Sequence, residues 1–256
     1  MIPYKGAAAC RHRRDDMDWF FTERVDEYHL MTGEDAQHIT KALRKSVGEL
    51  LTLCDNNKIE HLCMIERITP EGVLVHEISA EECLHEPSIS VTLYASLTKG
   101  DKMESVIQKS VELGVHAVVP VLTSRCISRP DAKAAEKKRV RYQKIAEQAA
   151  MQSRRAIIPI VSETVDLKTA VLSLSSFETA VVFYEGGGVP LRTAVAESCR
   201  SLAIFTGPEG GFEESEIALL TQNGALTATL GSRILRAETA PLAALSAIMF
   251  HTHNLE

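Results

Sequence analysis

The sequence lacks any apolar run of membrane-spanning length, and its opening residues, with Arg11, His12, Arg13 and Arg14 followed by two aspartates, hold no signal-peptide core. A soluble, cytosolic chain with no membrane partner is expected. Also absent is any C-x-x-C pair: Cys10, Cys54, Cys63, Cys83, Cys126 and Cys199 are scattered, and the nine histidines are equally dispersed. Such spacing suits neither a zinc site nor a disulfide framework, so reduced, mostly buried thiols and no metal are expected. Neither a Walker lysine loop nor a G-x-G-x-x-G turn occurs. Finally, there is no overall basic excess. With 28 Lys and Arg against 34 Asp and Glu, the net charge is -6, so any contact with nucleic acid must come from a local patch.

What is present falls into three stretches. Residues 1–17 are polar and without period, as in a mobile arm. Between 18 and 86 short strand-like pieces dominate, at 19–21, 27–31, 50–54, 61–68 and 73–78, punctuated by turns such as Asp55-Asn56-Asn57 and Pro70-Glu71-Gly72. One helix, from Gly33 to about Leu43, interrupts them, so this stretch reads as a small β-rich domain of barrel type. His-Glu-Pro-Ser at 85–88 is a linker, with the boundary placed near Pro87. From 87 to 256 strands alternate with helices: strands at 89–97, 117–122, 157–161, 179–184, 202–205 and 226–230, and helices that include 103–113 and 135–151. Alternation of this kind predicts an α/β domain with a mainly parallel sheet and helices on both faces.

Two glycine-bearing turns stand out. Leu202 to Phe205 ends in Thr206-Gly207-Pro208-Glu209-Gly210-Gly211-Phe212, and Leu226 to Leu230 ends in Gly231-Ser232 before a polar segment and a helix opened by Thr239 and Pro241. Strand ends that open into glycine loops before helices put ligands at the carboxyl edge of an α/β sheet. A small-molecule site is therefore expected, although a tight turn alone also explains glycine. The other feature is electrostatic. In helix 135–151, Tyr142, Ile145, Ala146 and Ala149 share one face, and Lys137, Arg141, Lys144 and Gln148 line the opposite one. With Lys99, Lys102, Lys109, Arg125, Arg129, Arg154 and Arg155 nearby in sequence, this stripe reads as a phosphate-contacting surface, the plain alternative being a solvated face.

Taken together, GPEGGF at 207–212 and LGSRILRAETAPLAAL at 230–245 resemble the cofactor-binding end of the SPOUT methyltransferases, specifically the family that methylates N3 of a uridine in 16S ribosomal RNA. LTKGDKME at 97–104, Ile107-Gln108-Lys109, Glu112 to Val115, Thr123-Ser124-Arg125 and Gln152 to Arg155 with Pro159 look like family motifs in the family's order, as does Thr32 to His38 with Leu43-Arg44 nearer the start. The resemblance runs from about Trp19 to the end. It implies a PUA-like β-barrel domain over 18–86 that helps bind RNA, and a SPOUT domain over 87–256 whose C-terminal loops form a trefoil knot around S-adenosyl-L-methionine. It also implies a homodimer acting on 16S ribosomal RNA of the small subunit. The sequence departs from the family in a longer extension before Trp19, in Ala237 where threonine is frequent, and in Arg154 where glycine is frequent.

On that resemblance the cofactor would meet Tyr184, Glu185, Gly186, Thr206, Gly207, Gly210, Leu230, Ile234, Leu235 and Thr239. RNA would meet His38, Arg44, Lys99, Lys109, Arg125, Lys137, Arg141, Lys144, Arg155 and Arg233, with helix capping the alternative for His38 and Arg44. Uridine N3 must lose a proton before it attacks, so a base or an anion-stabilising group is required. Arg236 is the candidate for stabilising charge and Glu209 or Glu238 for accepting the proton; the alternatives are an Arg236–Glu238 structural pair and a helix-capping Glu209. Two other functions remain open, a SPOUT methylase for another RNA and a non-catalytic RNA-binding assembly protein.

Overall fold

A computed structural model describes residues 17–255; the expected arm lies outside the described residues except for Met17. The chain divides into two compact units, one of the residues up to Glu86 together with Arg154–Ile157, the other of Pro87–Ser153 and Ile158–Glu256.

The first unit holds strands β1 (Trp19–Phe21), β2 (Tyr28–Met31), β3 (Leu50–Cys54), β4 (Ile59–Thr69) and β5 (Gly72–Glu82), in the sheet order β1-β3-β4-β5-β2. Pairing is antiparallel except between β1 and β3. Period-2 alternation places Leu51, Leu53, Ile65, Val73 and Val75 in the core. The β4–β5 ladder shifts register at Leu62/Cys63 and again at Ile65/Arg67, irregularities that bend and twist a long hairpin. Gly72 closes that hairpin, where an added Cβ would collide with the Met31 carbonyl oxygen. The single helix expected over 33–43 is instead a short α1 (Gly33–Gln37) running into a π turn over His38–Ala42 and ending at Arg44 with φ +54.

Residues 154–157 are where the sequence reading fails most clearly. Arg155, expected to meet RNA, is 4% exposed, and its guanidinium donates to both oxygens of Glu86, at 3.2 and 2.7 Å. Glu86 also accepts from the backbone N–H groups of Ala156 and Ile157. Burial pushes the Glu86 carboxyl up, but Arg155 and these N–H donors together hold it below its ordinary value. Ala156 packs with Trp19, Cys54 and Cys83, and accepts from the Cys54 thiol at 3.2 Å. Arg154 has φ +57, a region that glycine enters freely and other residues at a cost, which accounts for glycine at this place in the family it resembles. The expected strand over 157–161 shrinks to two residues for the same reason: its first residue belongs to the other unit.

The second unit is α/β. In order it contains β6 (Ser90–Ser96), α2 (Lys102–Glu112), β7 (Ala117–Leu122), α3 (Ala132–Gln152), β8 (Ile160–Val161), β9 (Val165–Asp166), α4 (Leu167–Val171), β10 (Thr179–Phe183), β11 (Val189–Pro190), α5 (Leu191–Ala194), β12 (Ser201–Thr206), α6 (Glu214–Gln222), β13 (Leu226–Thr229) and α7 (Ala240–His251). The sheet order is β11-β13-β10-β12-β6-β7-β8, with β9 also on β7, and every pair is parallel. Leu202 to Thr206 and Val91 to Ser96 are buried throughout, as central parallel strands covered on both faces require. Glu213 and Glu216 form a reciprocal capping box on α6, and the other Glu216 oxygen accepts from the Ser124 N–H at 2.8 Å. Thr239 precedes α7 without the side-chain cap expected of it.

Cys54, Cys63, Cys83, Cys126 and Cys199 are free and buried, with burial pushing the Cys54 and Cys63 thiols up to about 12; Cys10 lies outside the described residues. Among the described residues no helix is long and apolar enough to cross a membrane.

The Glu86–Arg155 pair yields a stability prediction. Glu86→Ala takes a bidentate carboxylate away from a buried guanidinium, and should cost about 3–5 kcal/mol in urea unfolding. Because the folded Glu86 carboxyl is lowered, its contribution is complete above the unfolded value of 4.5 and is lost as pH falls through the folded value. The difference between wild type and Glu86→Gln, followed by circular dichroism, should therefore narrow on acidification.

Candidate active site

Strands β13, β10 and β12 are neighbours, so the loops that leave their carboxyl ends share one edge of the sheet. From β12 comes the turn Gly207 to Gly211, closed by a Gly211 N–H to Pro208 carbonyl bond at 3.0 Å. Gly211 has φ +69, a conformation that favours glycine, and the Glu185 carboxylate lies close against it. From β10 come Tyr184 and Glu185, the former tied to β13 by its N–H on the Ala228 carbonyl at 3.2 Å. From β13 comes the segment 230–237. Together these loops line a cavity of about 510 Å³, within the range of small-molecule sites.

Of the residues expected at a cofactor, Tyr184, Glu185, Gly207, Leu230, Ile234 and Leu235 line this cavity. Four others do not. Thr206 is buried in β12 at 2% exposure, Gly186 packs under the Tyr184 ring, Gly210 faces the Arg125 side chain, and Thr239 stands just before α7. Pro208, Gly211, Gly231 and Ser232 of the two glycine turns line it too, as do Phe183, Thr229, Ala237 and Ala240, none of which is expected at the cofactor by residue. Arg236, Glu209 and Arg233 line it as well.

Lys102 was read as a phosphate contact and instead belongs to this cavity. Its ammonium lies 3.4 Å from Glu209 Oε1 and 3.1 Å from Glu238 Oε2, so the two candidate bases share one cation. Glu209 also accepts from the Lys99 N–H at 3.1 Å. Burial pushes Glu209 up, but N–H donors and Lys102 outweigh it and hold the carboxyl below its ordinary value. Glu238 is lowered by its own backbone N–H and then by Lys102. Lys102 is raised, first by Glu238. Neither alternative read from the sequence appears as stated: Glu209 bonds Lys99 and Lys102 rather than capping α6, and the cation paired with Glu238 is Lys102. A signal for this was present, since Lys102 is the first residue of α2, where the helix dipole disfavours a cation that lacks acidic partners.

Outside the cavity, α3 shows the expected division. Tyr142, Ala146 and Ala149 are buried and Ile145 partly so, whereas Lys137, Arg141, Lys144 and Gln148 are exposed. Arg141 pairs with Glu104 at 2.7 Å. Lys99 and Lys109 are exposed, and Arg125 donates to the Gly210 carbonyl at 2.9 Å. His38 and Arg44 are exposed in the first unit, His38 edge-on to Phe20. Also in that unit, Glu60, Cys83 and His85 bring potential ligand atoms within 4.8 Å of one another, the His85 Nδ1 lying 3.0 Å from the Arg154 carbonyl.

Comparison with known proteins agrees with this geometry. Residues 85–249 match the family described as RNA methyltransferase domain, and residues 31–78 match the RNA methyltransferase PUA domain. The ribosomal RNA small subunit methyltransferase E of Bacillus subtilis is 38% identical over 234 residues, spanning 88% of this chain and 91% of that protein. Among solved structures, the ribosomal RNA small subunit methyltransferase E of Neisseria gonorrhoeae bound to S-adenosyl methionine superposes with a TM-score of 0.84 at 29% identity, covering 91% of this chain and 97% of the other. Lpg2936 of Legionella pneumophila, in complex with the bound cofactor SAM, gives 0.84 at 30% identity over the same shares. A PUA-type RNA-binding unit, a parallel α/β unit and a cavity at its glycine turns thus occur together in one chain, which belongs to the ribosomal RNA small subunit methyltransferase E family.

Proposed function

We propose that this protein transfers the methyl group of S-adenosyl-L-methionine to N3 of a uridine in 16S ribosomal RNA, acting in the cytoplasm on the small subunit. The observation that carries this reading is a cavity lined jointly by the turn after β12 and the loop after β13. Its residues fit the cofactor. Gly207, Gly211 and Gly231 let a ligand approach the main chain, Leu230 and Leu235 offer apolar surface, and Glu185 and Glu209 supply negative charge suited to a sulfonium. When bound, the cofactor supplies an electrophilic methyl carbon. The protein's task is then to hold uridine N3 in line with that carbon at near-attack distance and to favour loss of the N3 proton. Arg236, at the cavity wall, is placed to bind developing negative charge on the base. The loop 230–238 leading into α7 is the segment in which we place the knot.

For RNA, the exposed basic face of α3, with Lys99 and Lys109, is the phosphate-contacting surface in this reading, and His38 and Arg44 contribute from the first unit. Arg233, exposed at the rim, serves RNA or a second copy of the chain, for which Phe250 at 63% exposure and Ile234 at 88% offer apolar surface.

Three outcomes are expected. Ala237→Trp fills the cavity and should weaken S-adenosylmethionine binding beyond calorimetric detection while leaving the circular dichroism spectrum intact. Deleting the gene should remove 3-methyluridine from 16S RNA in nucleoside mass spectrometry, and its persistence would reject the proposed target. Lys137→Ala should weaken RNA binding about equally across sequences and reduce the salt slope of log affinity by about 1.

A further inference from the structure

At the wall of the cavity, which Lys102 and Glu209 line and Glu238 does not, lies one arrangement that methyl-donor binding does not explain. Lys102, Glu209 and Glu238 come from the connections after β6, β12 and β13, three separate strand ends, and meet at one ammonium. A cation on the first residue of a helix works against the dipole, and a loop tie does not need one there. The Lys102 side chain is also 36% exposed and Lys102 lines the cavity, so its charge is not confined to the core. An ammonium has three N–H donors, and two ion-pair contacts at 3.4 and 3.1 Å leave it with donor capacity for a ligand.

The two glutamates are poorly suited to take a proton. Each carboxyl is held below its ordinary value by N–H donors and by Lys102, and a weaker base removes a proton less effectively. Lys102, raised by the same contacts, stays charged and cannot accept a proton itself. What the trio does supply is a fixed positive charge whose position is set from two sides, which is the requirement for stabilising an anion as it forms.

We propose that Lys102 is a second catalytic cation of this site, beside Arg236: held by the Glu209 and Glu238 carboxylates, its ammonium donates to a carbonyl oxygen of the target uracil and stabilises the anion formed when N3 loses its proton. The N3–H bond breaks with its electron pair staying on nitrogen, the charge spreads to the flanking carbonyl oxygens, and the proton passes to solvent water or hydroxide at the cavity mouth. Glu209 and Glu238 remain ionised throughout as the supports of Lys102. This assignment rests on uridine N3 being the methylated atom, as proposed above.

The test is single-turnover formation of 3-methyluridine on small subunits from a strain lacking the gene, measured across a pH series for wild type, Lys102→Met and Lys102→Arg, with S-adenosylmethionine affinity measured separately by calorimetry. Lys102→Met should bind the methyl donor as wild type does and be slower by about 10²-fold at neutral pH. That deficit should shrink as pH rises, because hydroxide then ionises N3 unaided. Lys102→Arg, which keeps the charge, should recover part of the rate. A deficit equal at every pH, or loss of donor binding by Lys102→Met, would make Lys102 a tie between loops and overturn the assignment. If wild type binds the donor yet forms no 3-methyluridine, the proposed target falls, and this role for Lys102 falls with it.

Discussion

The second unit depends on one constraint, that every strand of its sheet runs in the same direction. Parallel pairing forces each connection to cross over the sheet and to leave from the same edge, so loops distant in sequence are delivered to one place. Because β13, β10 and β12 are adjacent, residues near 184, 209 and 235 become walls of one cavity; because β6 lies beside β12, the start of α2 adds Lys102. An antiparallel sheet would have sent alternate connections to opposite edges. The buried central strands β12 and β6 anchor that edge, and the glycines beyond β12 let the main chain itself become lining.

On this frame the electrostatics are arranged around few charges. Lys102 lies between two carboxylates that would otherwise repel each other, and they in turn offset a cation at a helix N-terminus. The surface stripe on α3 is different in kind. Lys137, Arg141 and Lys144 are exposed, and Arg141 pairs locally with Glu104, so they form a broad field suited to a polyanion. A net charge of -6 coexists with such a surface because the charges are segregated.

Much of the fold was legible because local pattern and tertiary outcome agree. The strands 117–122 and 50–54 occur as read, the helix 103–113 is displaced by one residue, and the two-faced character of helix 135–151 is present in its burial. The cavity was legible in part. Six of ten expected cofactor residues line it; of the others, Thr206 is buried as the last residue of β12 and Gly210 lies in the turn but against the Arg125 side chain. Period identifies the turn; the direction of a side chain within a turn depends on what packs behind it.

By itself the sequence determined the elements, their alternation and the two glycine turns, since these follow from apolar period and from backbone conformations that glycine permits. Only tertiary structure decided the partners. Arg155, one of several basic residues in a row by sequence, is removed from any surface by Glu86 sixty-nine positions earlier. Lys102 is assigned to the cavity by carboxylates that lie far along the chain. Charge pairing is set by distance in space, and no local pattern encodes which of many cations will be the one within reach.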